Sequence, residues 1–122
     1  RADINMKNQS DETALLLAVN SGYTDMVELI LTNNKVKLDE KNIIGETALI
    51  LAADRGYEHI VKLLIDNGAD VDIKDARGKT ALMLADYNDY KEIVKLFNKN
   101  WVILDIKCEF LILDMYMLVM RS

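Results

Sequence analysis

Thr13-Ala14-Leu15-Leu16-Leu17-Ala18, Thr47-Ala48-Leu49-Ile50-Leu51-Ala52 and Thr80-Ala81-Leu82-Met83-Leu84-Ala85 are three copies of one hexapeptide, Thr-Ala-Leu-x-Leu-Ala. The first two copies start 34 residues apart and the last two 33. A fixed period of this size marks an array of small units, each too small to bury a core alone, so neighbours must stack to make one. Stacking also builds a long surface suited to holding another molecule. The period leaves that molecule's identity open.

The middle copy is the most regular. Asn42-Ile43-Ile44-Gly45-Glu46-Thr47 is a polar turn in which Gly45 can adopt positive φ, and Thr47 can cap a helix by accepting a bond from a first-turn amide. The pattern predicts a first helix from Ala48 to about Asp54, a break at Gly56, and a second helix from near Glu58. Ile60, Val61, Leu63, Leu64 and Ile65 recur at helical spacing, with Lys62 and Asp66 outside; Asn67-Gly68 then ends the helix.

The other copies follow the same plan. The first is expected to run Ala14 to Asn20 and Thr24 to Thr32, the third Ala81 to Asn88 and Tyr90 to about Asn98. Asp11 stands where the turn glycine would be, and aspartate tolerates the left-handed region better than most residues. Ala2-Asp3-Ile4-Asn5 matches Ala69-Asp70-Val71-Asp72, so the chain opens inside a preceding unit. Some of Leu15, Leu16 and Leu17 would then lack a covering neighbour.

These residues resemble the ankyrin repeat family, whose pattern runs Asp-x-x-Gly-x-Thr-Pro-Leu-His-x-Ala and then Gly-His-x-x-Ile-Val-x-Leu-Leu. The resemblance covers roughly residues 2–100 and is best from Asn42 to Ala69. It implies an all-α solenoid: a partial leading repeat (1–7), repeats at 8–41 and 42–74, a capping-like repeat at 75–100, and an irregular apolar tail at 101–122. This chain departs from the family at three positions. The proline is replaced by Ala14, Ala48 and Ala81, the first histidine by Leu16, Ile50 and Met83, and the second by Tyr23, Tyr57 and Tyr90. A histidine–threonine network between repeats is therefore absent, and apolar packing must carry more of the stack. In the third repeat Asp86 replaces a small apolar residue and Asp89 the inter-helix glycine. Such polar changes suit the outer side of a last repeat, or record simple decay.

Composition narrows the function classes. A net charge of −5 disfavours a general nucleic-acid or acidic-membrane surface. One cysteine, Cys108, and one histidine, His59, rule out a disulfide framework and speak against an all-protein zinc site. Cysteine usage suits the cytoplasm or another reducing compartment. The first residues, Arg1 to Gln9, have no apolar core, so no signal peptide is visible, and the chain reads as part of a longer product. Cys108 has no neighbouring histidine, His59 reads as a solvated helix residue, and the glycines belong to turns and caps. Asp3, Asp70 and Asp72 fit the polar stretch between units. No catalytic, cofactor or metal site is expected.

Residues 101–120 hold 16 apolar residues and four charges, Asp105, Lys107, Glu109 and Asp114. A charge near a membrane-helix centre costs about 2.5–3.5 kcal/mol, against about 0.3–0.6 kcal/mol returned by each strongly apolar residue. No transmembrane span is therefore expected. Leu104, Ile106, Cys108 and Phe110 alternate with polar residues, so a strand is as compatible as a helix. The tail is an eroded fourth repeat, an interaction or dimerisation segment, a membrane-surface anchor, or sequence beyond the original end.

The family resemblance places partner contacts at turn tips and at the exposed end of each first helix. Here these are Gln9, Ser10 and Glu12; Ile43, Ile44 and Glu46; Ala76, Arg77 and Lys79; then Asn20 and Ser21, Asp54 and Arg55, Tyr87 and Asn88. Ile43, Ile44 and Tyr87 are the sharpest, because apolar and aromatic groups on an exposed tip favour binding hot spots. One of the two isoleucines could pack under the next turn instead. The expected function is non-catalytic protein–protein recognition within a scaffold or adaptor. The alternatives are the targeting arm of an enzyme whose catalytic domain lies elsewhere, and self-association or membrane contact through the tail.

Overall fold

A computed structural model describes residues 3–97, and every residue in regular structure among them is helical. Helices α1 (Ala14–Asn20) and α2 (Thr24–Leu31) form the first pair, and α3 (Ala48–Arg55) and α4 (Glu58–Asp66) the second. Helix α5 (Ala81–Tyr87) opens the third pair, which continues as α6 over residues 91–97. Helices of seven to nine residues are too short to persist alone in water, so packing must hold them. Helices α1, α3 and α5 stack in one row, and α2 lies against α4 in a second. The tail, including Cys108, lies outside the described residues.

Each first helix begins identically. Thr13, Thr47 and Thr80 are extended, with φ near −90°, and their hydroxyls accept from the amides of Leu16, Ile50 and Met83, each at 3.2 Å. A repeated alanine in the last turns of each also ties down the chain that follows: the amides of Tyr23, Tyr57 and Tyr90 donate to the carbonyls of Ala18, Ala52 and Ala85. Among the described residues the expected boundaries hold to within one residue, and the expected end near Asn98 lies outside them. Helix α3 continues through Arg55 because the left-handed turn falls on Gly56 (φ 79°), α2 stops at Leu31, and α5 stops at Tyr87. Asp11 takes φ of 63°, the left-handed conformation expected there, and Asp89 takes 61°.

Helix α3 shows where the core sits. Ala48 through Ala53 are all buried, because α1 covers one side and α5 the other. An isolated amphipathic helix would bury one stripe; a central solenoid helix buries almost its whole circumference. Fully burying a Leu or Ile side chain contributes about 1.5–3 kcal/mol, so Leu49, Ile50, Ile60 and Leu64 anchor the stack. Of Leu15, Leu16 and Leu17, only Leu17 is left without cover, at 44 % exposed.

Candidate functional site

The turn tips are built on a single polar side chain per repeat. Asn42 Oδ1 accepts from the amides of Ile44 and Glu46, and Asn8 Oδ1 from those of Ser10 and Glu12. Asp75 Oδ1 does the same for Arg77 and Lys79. These residues tie each tip into a rigid loop and hold its upper side chains away from the core. Glu12 and Glu46 are partly committed to that framework, accepting from the Asn8 and Asn42 amide groups at 3.1 Å. Successive tips also meet directly: the Ile43 amide donates to the Ser10 carbonyl at 3.1 Å.

Asp75 is buried beneath its tip. Burial by itself pushes its carboxyl up, but the Lys79 and Arg77 amides, and then the Arg77 guanidinium 3.5 Å away, reverse the sign and hold it below its ordinary value.

The residues named from sequence lie on the turn tips and at the ends of α1, α3 and α5. Gln9, Ser10, Ile43, Ile44, Ala76, Arg77 and Lys79 are exposed on the tips, with Glu12 and Glu46 half-buried. Both isoleucines face outward, Ile43 at 68 % and Ile44 at 56 %, so neither packs under the neighbouring turn. Ser10, Glu12, Ile43, Ile44, Glu46 and Arg55 converge on one shallow open groove, together with Asn20, Asn42 and Leu51. The third tip and Tyr87, which is 86 % exposed, lie outside that groove.

Asp54 and Asn88 have a structural role that their exposed-end positions did not reveal. The Asn88 side-chain amide donates to the Asp54 carboxylate at 3.2 Å and to the Leu84 carbonyl at 3.0 Å, clamping two helix ends together. Asp54 is therefore less available to an outside molecule than Arg55, which is exposed. His59 is largely solvated, yet its Nε2 lies 3.6 Å from Glu28 across the repeat junction. Among the described residues, no group of three or more His, Cys, Asp or Glu could hold a metal ion, and no helix is long and apolar enough to cross a membrane.

The periodic tyrosines have a packing role that the sequence did not reveal. The Tyr57 ring lies over Gly22 and the Tyr90 ring over Gly56, so close that a Cβ on these glycines would fall 3.0 and 2.9 Å from the rings. Each tyrosine thus closes a junction by occupying the space that the previous repeat's glycine leaves free. The three tyrosines in register at 23, 57 and 90 marked the position, but the ring's partner lies one repeat earlier in the chain.

Comparison with known proteins agrees with this architecture. The family model "Ankyrin repeats (3 copies)" matches residues 1–75 and again 34–107. The crystal structure of EF0377, an ankyrin repeat protein, superimposes with a TM-score of 0.75 at 40% sequence identity, covering 80% of this chain and 52% of that one. The present chain thus spans about half the length of that protein. No curated protein matches the sequence. Ankyrin repeats are in general protein–protein interaction modules and typically non-catalytic. With the family model matching residues 1–75 and 34–107, well over half of its length, this chain belongs to the ankyrin repeat family.

Proposed function

We propose that this chain is a non-catalytic protein-recognition module that grips its partner with the turn tips and the exposed ends of the first helices. The observation that carries this reading is the outward exposure of Ile43 and Ile44 on a tip held rigid by Asn42. Apolar side chains on a preorganised loop lose little entropy on binding and gain by leaving water. Arg55 on the groove and Tyr87 further along supply the other two residue types that favour hot spots. Charge along the proposed contact residues runs from −1 in each of the first two repeats to +2 in the third, which suits a partner of opposite gradient.

The test is a comparison of the full chain with its Ile43→Ala, Ile44→Ala, Tyr87→Ala triple variant, both immobilised and offered the same cell extract. Helical circular dichroism should be unchanged, since all three side chains are exposed. A protein retained by the native chain should bind the variant about tenfold or more weakly. Equal affinity for both would overturn the assignment of the surface.

A further inference from the structure

Asn67-Gly68 is the one Asn-Gly step in the chain. It joins α4 to the segment that leads to the third tip, and both residues are exposed. Asparagine followed by glycine can react within the chain. The next residue's amide nitrogen attacks the side-chain carbonyl carbon, and glycine, lacking Cβ, leaves that nitrogen unhindered. A Cβ added to Gly68 would meet nothing within 4 Å, so no neighbouring group shields this step from water.

What holds the reacting groups apart is the end of α4. Asn67 Nδ2 donates to the Leu63 carbonyl at 2.8 Å, which turns the side-chain amide back along the helix. The Gly68 amide donates to the Ile65 carbonyl and the Ala69 amide to the Leu64 carbonyl, each at 3.0 Å. Nucleophile and electrophile are thus tied to different carbonyls of the last turns, and both ties must break before the two can meet. Asn33 holds the same place in the first repeat with a different arrangement. Its Oδ1 accepts from the Lys35 amide at 2.8 Å, and Asn34, which carries a Cβ, follows it.

We propose that Asn67–Gly68 is a deamidation site gated by the C-terminal cap of α4, closed in the folded repeat and reactive when the cap opens. In the reaction the Gly68 nitrogen bonds to Asn67 Cγ, the Cγ–Nδ2 bond breaks, and Nδ2 leaves as ammonia with the proton that the Gly68 nitrogen gives up. One water then opens the cyclic imide, giving aspartate by attack at Cγ and isoaspartate by attack at the main-chain carbonyl carbon. No oxidant or reductant is needed. Either product weakens the junction. A carboxylate at this position cannot donate to the Leu63 carbonyl and sits at the negative end of the α4 dipole. Isoaspartate adds one carbon to the backbone just ahead of buried Ala69 and of Asp70, whose amide donates to Asp39 at 3.0 Å. Opening of the second repeat is thereby recorded covalently, at residues outside the recognition surface on the tips.

The test follows tryptic peptide 63–74, which carries no other asparagine, by mass spectrometry during incubation at neutral pH. The full chain in buffer should convert at least about tenfold more slowly than the same chain unfolded in guanidinium chloride, because reaction scales with the opened fraction. The unfolded chain should yield two products of equal mass, aspartate and isoaspartate. Equal rates in the folded and unfolded chain would show that the cap gates nothing, and no conversion in denaturant would show that there is no site; either result overturns the proposal. The Asn67→Asp variant should melt about 3 °C or more below the native chain. An unchanged Tm would overturn the stated effect on the junction.

Discussion

The two ends of the described stack are chemically opposite. At the start, every position that packs inward elsewhere keeps its apolar side chain although it faces water: Leu17, Tyr23, Met26 and Leu29. At the other end the repeat has changed its residues, with exposed Asp86 standing where Val19 and Ala53 are buried, and Asp89 where Gly22 and Gly56 lie under tyrosine rings. One end retains the composition of an interior junction and the other has lost it. Burial in a solenoid is thus a property of a residue's place in the array, since the same repeat position is core in one unit and surface in the next.

The largest effect expected from this comparison separates register-equivalent leucines. Leu51→Ala should cost about 2–4 kcal/mol in urea unfolding, whereas Leu17→Ala should cost less than about 1 kcal/mol, because only the first substitution empties a packed site. Equal costs would show that the first face is covered in solution. Next is the tyrosine–glycine contact. Gly56→Ala places a methyl 2.9 Å from the Tyr90 ring at φ 79° and should cost about 1–3 kcal/mol by thermal unfolding, against no more than about 1–2 kcal/mol for Gly68→Ala, which meets no neighbour within 4 Å. If the two cost the same, the ring contact adds nothing to the junction.

The tips sharpen the contrast at a smaller scale, because the last repeat uses a carboxylate where the first two use an amide. Asp75→Ala should cost about 1–3 kcal/mol by leaving two loop amides unpaired, while Asp75→Asn should cost less than about 1 kcal/mol, as Asn8 and Asn42 fill the same role. The Asp75 carboxyl is lowered on folding, so its contribution is complete above its unfolded value and is lost as pH falls through its folded one. Asp75→Asn should therefore flatten the acid end of the stability profile; an unaltered profile would show that Asp75 does not contribute to it. The smallest effect is expected at Asp89. Asp89→Gly relieves a left-handed backbone at φ 61° and should stabilise by no more than about 1 kcal/mol in the same thermal assay.

Much of the candidate surface was legible because turn chemistry is local. The Thr47 cap and the left-handed turns at Gly45 and Gly56 act within a few residues, so they followed from their neighbours in sequence, and the tip residues followed from the family resemblance. The clamp between Asn88 and Asp54 was not legible, since 34 residues separate the partners and either side chain alone looks like a solvated helix end. The outward turn of both Ile43 and Ile44 was also undecided by pattern, as adjacent apolar residues in a loop can divide between core and solvent.

By itself, the sequence determined the period, the caps, the helix boundaries to within one residue, and membership of the ankyrin family. These depend on backbone conformations and hydrogen bonds that each repeat sets for itself. Only the tertiary structure decided that Leu51 is buried and Leu17 is not, that tyrosine rings lie over the preceding repeat's glycines, and that Asp54 is bound by Asn88. Those facts depend on which surface stacks against which, and burial exists only where a neighbouring unit displaces water.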